Sequence, residues 1–214
     1  MTTIILTSTV NVNPNKSWVY QSNKNERIEI YLKSILQWLT KTNFNVILVE
    51  NSGYSFEELD LEKKIYQDRF DIITFNENEI NENTYLNLSK GNSELFSINY
   101  AFRNSKLINE KTNFIIKITA RYFIEELEDF LKEYDLNNYD SLSQSDRRRC
   151  EMVGSHIKNF KFIFNDNIYD DKNNGHVEGT YLERLNLLNN ILVCKNFEIE
   201  ETQRGGVNKK YFDI

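Results

Sequence analysis

Short apolar runs alternate with amphipathic stretches through the first two thirds of this chain, and that alternation constrains the fold more than any other feature. Ile4 to Val10, Val46 to Val49, Phe70 to Phe75 and Phe114 to Thr119 each read as a buried strand. From Glu26 to Thr42 apolar residues recur at Ile28, Tyr31, Leu32, Ile35, Leu36 and Leu39, which is helical spacing with one buried stripe. A second helix begins near Asn92 or Ser93 and buries Leu95, Ile98, Phe102 and Leu107; a third runs from Phe123 to Tyr134. Strands without a polar face, bounded by such helices, imply a mainly parallel sheet covered on both sides. Right-handed crossovers then bring the strand ends to one common edge.

The last third departs from this rhythm. Arg147 to Ile157 and Asn159 to Asn165 read as two strands, and an Asp/Asn-rich loop spans Asp166 to Gly175. A helix from about Glu178 to Asn190 and a final strand from Phe197 to Thr202 follow, so the sheet should be mixed. With no repeat, Pro- or Gly-rich linker or low-complexity tail, the 214 residues are read as one α/β domain.

Charge and cysteine usage narrow the partners. A net charge of −6 supplies no basic face for nonspecific nucleic-acid binding, so sugar, nucleotide or protein partners fit better. No apolar stretch approaches the roughly 18 residues of a membrane span, and the N-terminus reads as a strand, not a signal peptide. Cys150 and Cys194 make neither a disulfide framework nor a metal spacing, which points to a reducing, cytoplasmic setting. The sequons at Asn15 and Asn87 therefore carry no weight in this reading.

Several clusters carry chemistry, each with an ordinary structural alternative. Ile115-Ile-Lys-Ile-Thr-Ala-Arg-Tyr122 is a buried strand ending in polar and cationic groups, where open α/β sheets bind ligands. Lys117 and Arg121 stand two strand steps apart and should share a face. Arg121 offers a planar fork suited to phosphate, whereas Lys117 also fits a structural salt bridge. Thr7 and Thr9 bring hydroxyls to the end of the first strand; Glu50 in Glu50-Asn-Ser-Gly53 is either an acceptor for a base or ribose or part of a plain turn. Lys90-Gly91 ahead of a helix suits a diphosphate or a simple cap. His176 and Glu178 supply a metal or diphosphate ligand and a general base, or mere dipole compensation. Asp146-Arg-Arg-Arg149 reads as a solvated basic strand.

The order of these clusters resembles small nucleotide-sugar glycosyltransferases of the GT-A type, including short bacterial and large algal DNA virus members. The resemblance spans Ile4 to about Gly206, and its most specific parts are Lys90-Gly91, Lys117 to Tyr122 and His176-Val-Glu178. It implies a GT-A-like, Rossmann-like domain, with a donor half over about residues 1–122 and an acceptor half over about 123–214. It implies a hexosyl- or deoxyhexosyltransferase that moves sugar from a nucleotide-diphosphate sugar, UDP-linked by preference, to a hydroxyl of a glycan or glycoprotein acceptor, in the cytoplasm (the host's, for a viral enzyme). Glu50 would sit by the base; Thr7, Thr9, Lys90, Gly91, Lys117, Thr119 and Arg121 would line the donor. Glu178 would be the base of an inverting reaction, with His176 beside the diphosphate or a metal.

One departure is plain: the family's Asp-x-Asp, which holds Mn²⁺ or Mg²⁺, is replaced by Thr119-Ala-Arg121. Arg121 and Lys117 would then supply positive charge, or Glu77, Glu79 or Asp166 would supply a metal ligand. Two further readings are a non-catalytic binding or interaction module on the same fold and a sugar nucleotidylyltransferase, the latter disfavoured by the glycine-free loop Asn11-Val-Asn-Pro-Asn-Lys16.

Overall fold

The computed structural model describes residues 1–14, 16, 19–80, 89–166 and 176–214. Asn15, Ser17 and Asn87 of the two sequons, and the Asp/Asn-rich loop beyond Asp166, lie outside them. In chain order the elements are β1 (Thr2–Ser8), α1 (Lys24–Lys41), β2 (Asn45–Glu50), α2 (Asp60–Ile65), β3 (Phe70–Thr74), α3 (Lys90–Asn104), β4 (Phe114–Thr119) and α4 (Leu127–Lys132). Then come β5 (Ser141–Ser143), β6 (Met152–His156), α5 (Phe160–Ile163), α6 (Val177–Asn186), β7 (Ile191–Val193), β8 (Glu198–Gln203) and β9 (Lys210–Asp213).

The central sheet has seven strands in the order β3-β2-β1-β4-β6-β5-β7. β1 to β4 pair in parallel, β6 is antiparallel to both of its neighbours, and β5 pairs with β7 in parallel. Side chains of β1 alternate between two cores, as strand geometry requires. Ile4 and Leu6 pack with Tyr31, Ile35 and Trp38 of α1 on one face. Ile5 packs with Leu95 and Ile98 of α3 and Tyr181 and Leu185 of α6 on the other. β8 and β9 form a separate hairpin.

Local sequence explains the element ends. Asn23 caps α1 by accepting from the backbone N–H groups of Asn25 and Glu26, and Ser89 caps α3 by accepting from that of Asn92. Gly154 sits where β6 crosses the sheet: a Cβ there would lie 2.8 Å from Phe114 and 2.9 Å from Leu142. Only glycine lets these strands and rings close up.

The C-terminal third corrects several expectations. Asn159–Asn165 is not a strand: Phe160–Ile163 is helical, with Phe160, Ile163 and Phe164 buried and Phe162 43% exposed. That is i, i+3, i+4 spacing, and the Phe160 ring stacks on Phe102 of α3 at 4.0 Å. The expected strand over Arg147–Ile157 shrinks to β6, because Asp146 to Arg149 forms a turn. α4 starts only at Leu127, and α2, β5, β7 and β9 are short additions. No helix among the described residues is long and apolar enough to cross a membrane.

Candidate active site

A cavity of about 520 Å³ opens at the carboxyl ends of β1 and β4, between the N-termini of α3 and α6 and the turn joining β8 to β9. Thr7, Thr9, Lys90, Gly91, Thr119, Arg121, His176 and Glu178 all line it. Parallel pairing puts the strand tips at one edge, and both helices point their positive ends at the same space.

Glu50 and Lys117 stand behind the wall, both wholly buried. The Glu50 carboxylate accepts from the backbone N–H groups of Val10 (2.8 Å), Ser52 (2.9 Å) and Tyr54 (2.8 Å) and from the Ser52 hydroxyl. Burial raises its pKa above the ordinary range while those donors pull the other way. It braces the two strand-end loops and presents nothing to the pocket. Lys117 alternates onto the α3–α6 face, where its Nζ meets Glu94 at 2.8 Å and the Cys150 carbonyl at 2.7 Å. Burial is the largest influence and opposes its charge, but Glu94, with Cys150 and Glu151, outweighs it and holds its pKa above the usual lysine value.

Lys117 and Arg121 therefore do not share a face. The strand stops at Thr119, and a turn closed by Tyr122 N–H donating to Thr119 O (3.0 Å) swings Arg121 toward α1. Its guanidinium lies 5.9 Å from the Tyr31 ring centroid and donates to Gln21 Oε1 (2.9 Å) and Gln203 O (3.3 Å). Gly205 rests directly on it, and Gly205 O accepts from the backbone N–H groups of Tyr20 (2.8 Å) and Gln21 (3.3 Å). The β8–β9 turn is thus strapped across the pocket.

Further residues join the site that the sequence did not single out. Arg27 of α1 lines the pocket and donates to Thr9 O (2.6 Å), Gln21 O (2.7 Å) and Tyr31 Oη (2.7 Å). A cation in the first turn of a helix runs against the dipole, and that was the available signal. Lys16 pairs with Glu77 and donates to Ser93 Oγ, extending a polar chain from Thr9 Oγ1 through Asn51 (2.6 Å) to Glu77 (3.2 Å). Glu151, Arg204 and Gly205 complete the walls, together with Glu94 of the Lys90-Gly-Asn-Ser-Glu94 helix entry that the sequence did mark.

Cations and carboxylates share the cavity. Lys90 is open to solvent yet crowded by protein; that burial, reinforced by Arg121, lowers its pKa, with Glu178 and Glu94 acting against it. Arg27 is likewise lowered, by burial above all, and Arg121 adds repulsion. Glu94, Glu178 and Glu151 all bear on Cys150, whose buried thiol is pushed well above its ordinary value, mainly by desolvation. Glu178 stands 3.8 Å from Arg204. The cavity thus offers a ligand both cations (Arg27, Lys90, Arg121, Arg204) and carboxylates (Glu94, Glu151, Glu178).

The basic run takes no part. Arg149 donates to Asp213 Oδ1 (2.9 Å) and Asp213 O (2.8 Å) and lies 3.9 Å from the Tyr211 ring, fastening the last strand. A second groove of about 500 Å³ between α1 and β8 shares Arg121, but its charges are spent on the pairs Lys33–Glu200 and Lys41–Glu125.

Among solved structures, the fold is similar to a protein of Desulfovibrio desulfuricans G20 assigned as a nucleotide-diphospho-sugar transferase. The two share 14% identity over 90% of this chain and 79% of that one, with a TM-score of 0.50. It is also similar to the glycosyltransferase GlyE of Streptococcus pneumoniae TIGR4, at 12% identity over 90% of this chain and a TM-score of 0.51. The chain spans 45% of the length of GlyE. No protein-family model and no curated protein matches the sequence. The chain has the GT-A-type glycosyltransferase fold, a single mostly parallel sheet flanked by helices.

Proposed function

We propose, starting from this fold, that the protein is a glycosyltransferase that moves a sugar from a nucleotide-diphosphate donor, UDP-linked by preference, to a hydroxyl of a glycan acceptor. The observation that carries the reading is the cavity at the strand ends, where Arg27, Lys90, Arg121 and the α3 N-terminus gather with Glu94, Glu151 and Glu178. A donor of this class joins an anionic diphosphate to a hydroxylated sugar, and needs both cations and hydrogen-bond acceptors. Lys90, Arg121 and Arg27, with the α3 N-terminus, would grip the diphosphate. The nucleoside would run along Thr7, Thr9 and Asn51 at the tips of β1 and β2, with Glu50 holding those tips in place rather than touching the base. Residues 1–122 then supply most of the donor side and residues 123–214 the acceptor side.

In the reaction the acceptor oxygen attacks the anomeric carbon as the bond to the diphosphate oxygen breaks. The electron pair leaves with the nucleoside diphosphate, and the acceptor proton passes to Glu178. Direct displacement inverts the anomeric centre. Cations preorganised at the departing diphosphate stabilise the charge that develops there, usually the largest single contribution in such chemistry. His176 occupies the N-cap position of α6, two residues before Glu178, without a side-chain capping bond, and would contact the diphosphate or the acceptor.

A divalent ion is a common companion of such donors, but the described residues do not fit one. The tip of β4 brings Thr119 and Arg121 to the cavity in place of paired carboxylates, Glu77 is committed to Lys16, and Glu79 accepts from Asn76 at 2.8 Å. Among the described residues no three His, Cys, Asp or Glu side chains gather to hold a metal. No step above runs through a metal.

The test is donor turnover by Glu178→Gln. A general base contributes about 10²–10⁴-fold, so kcat should fall by that factor while nucleotide binding persists. Turnover within a few-fold of wild type removes Glu178 from the role. Failure of UDP, GDP, CMP and dTDP and their sugars to raise the melting temperature would turn the reading to an interaction module.

A further inference from the structure

Lys117 and Glu94 form a device that the proposed chemistry above does not use. The Lys117 ammonium (2.8 Å) and the Tyr181 hydroxyl (3.3 Å) together fix one oxygen of Glu94, Oε1. A buried ammonium is stable only when paired, so Lys117 and Glu94 hold each other in one arrangement. Oε2 takes no hydrogen bond from the described residues, and 20% of the Glu94 side chain stays exposed on the cavity wall. Such a group is a fixed acceptor for hydroxyl donors. A carboxylate is a poor neighbour for phosphate and a good one for sugar hydroxyls.

Its distance from the helix end identifies what it meets. Glu94 lies four residues after Lys90, so it is on the same face of α3 and about 6 Å farther along the axis. A ligand with its phosphate at Lys90 and Gly91 carries its next group, roughly one pyranose ring, to Glu94. We propose that Glu94 reads hydroxyls of the sugar being transferred, and that Lys117 is a positioning residue acting through Glu94 Oε1. This rests on the donor reading of the same cavity.

The test is calorimetric titration of UDP against UDP-glucose, GDP against GDP-mannose and dTDP against dTDP-glucose. The quantity read is the affinity ratio of sugar conjugate to bare nucleotide. Glu94→Gln alone leaves Lys117 unpaired and should melt early, so the decisive protein is the double variant Glu94→Gln/Lys117→Met, which removes both charges. It should fold, bind the bare nucleotide as wild type does, and lose about 10–100-fold of the ratio, the worth of a charge-assisted hydrogen bond. Lys117→Met alone keeps the carboxylate but frees it, and should lose part of the ratio. An unchanged ratio in the double variant overturns the inference and leaves Glu94 as a mere counter-ion, with the glycosyltransferase reading intact. A wild-type ratio no greater than one overturns it equally. Absence of any nucleotide binding overturns the donor reading itself.

Discussion

Replacing Gly205 by alanine should weaken nucleotide binding although residue 205 need not touch the ligand. The added Cβ would lie 2.5 Å from Arg121 Nη2, 3.0 Å from Cζ and 3.1 Å from Nη1. Ordinary contact begins at 3.4 Å, so the guanidinium or the turn must retreat by about 0.9 Å. Arg121 is 8% exposed and tied to Gln21 and Gln203, which leaves it little room. Moving the turn instead strains its bonds from Tyr20 and Gln21. Overpacking of this kind costs about 1–3 kcal/mol, and each kcal/mol lowers the melting point by roughly 2–4 °C at this chain length. A displacement near 1 Å in a positioning group costs up to about 100-fold. Calorimetry should therefore give UDP affinity reduced by about 10–100-fold in Gly205→Ala, with a melting point down by roughly 2–12 °C. Wild-type affinity in Gly205→Ala, alongside strong loss in Arg121→Ala, would show that the turn does not set the guanidinium's position.

Gly154→Ala tests packing away from the site: two contacts under 3.0 Å in the sheet should cost about 1–3 kcal/mol, and a scanning melt should fall by roughly 2–12 °C. Lys90 supplies a pH dependence. Its pKa is lowered by burial and by Arg121, so as pH rises it loses its charge before an ordinary lysine near 10.4 would, and nucleotide affinity should decline on the alkaline side below that value. Lys90→Arg should shift the decline upward, since a guanidinium stays protonated there; a profile that is flat to pH 10 would remove Lys90 from the diphosphate.

The fold's frame was legible because it follows from local periodicity. β4 spans Phe114–Thr119 as its apolar run requires, and α1 follows the stripe from Ile28 to Leu39. Asn159 to Asn165 was misread because a short aromatic-rich run satisfies both strand and helix spacing, and the partner that decides, Phe102, lies far away in sequence.

The sequence alone determined that strand ends carrying Thr7, Thr9, Thr119 and Arg121 meet helix starts carrying Lys90 and His176, because parallel strands and their crossovers put all of these at one edge. Which of the charged groups face that cavity was a tertiary decision. Lys117 and Glu50 turn inward, while Arg27, Glu94 and Arg204 turn to the pocket. A buried charge goes where its partners are. Those partners, Glu94 for Lys117 and Val10 for Glu50, come from elements distant in the chain that only folding brings into contact.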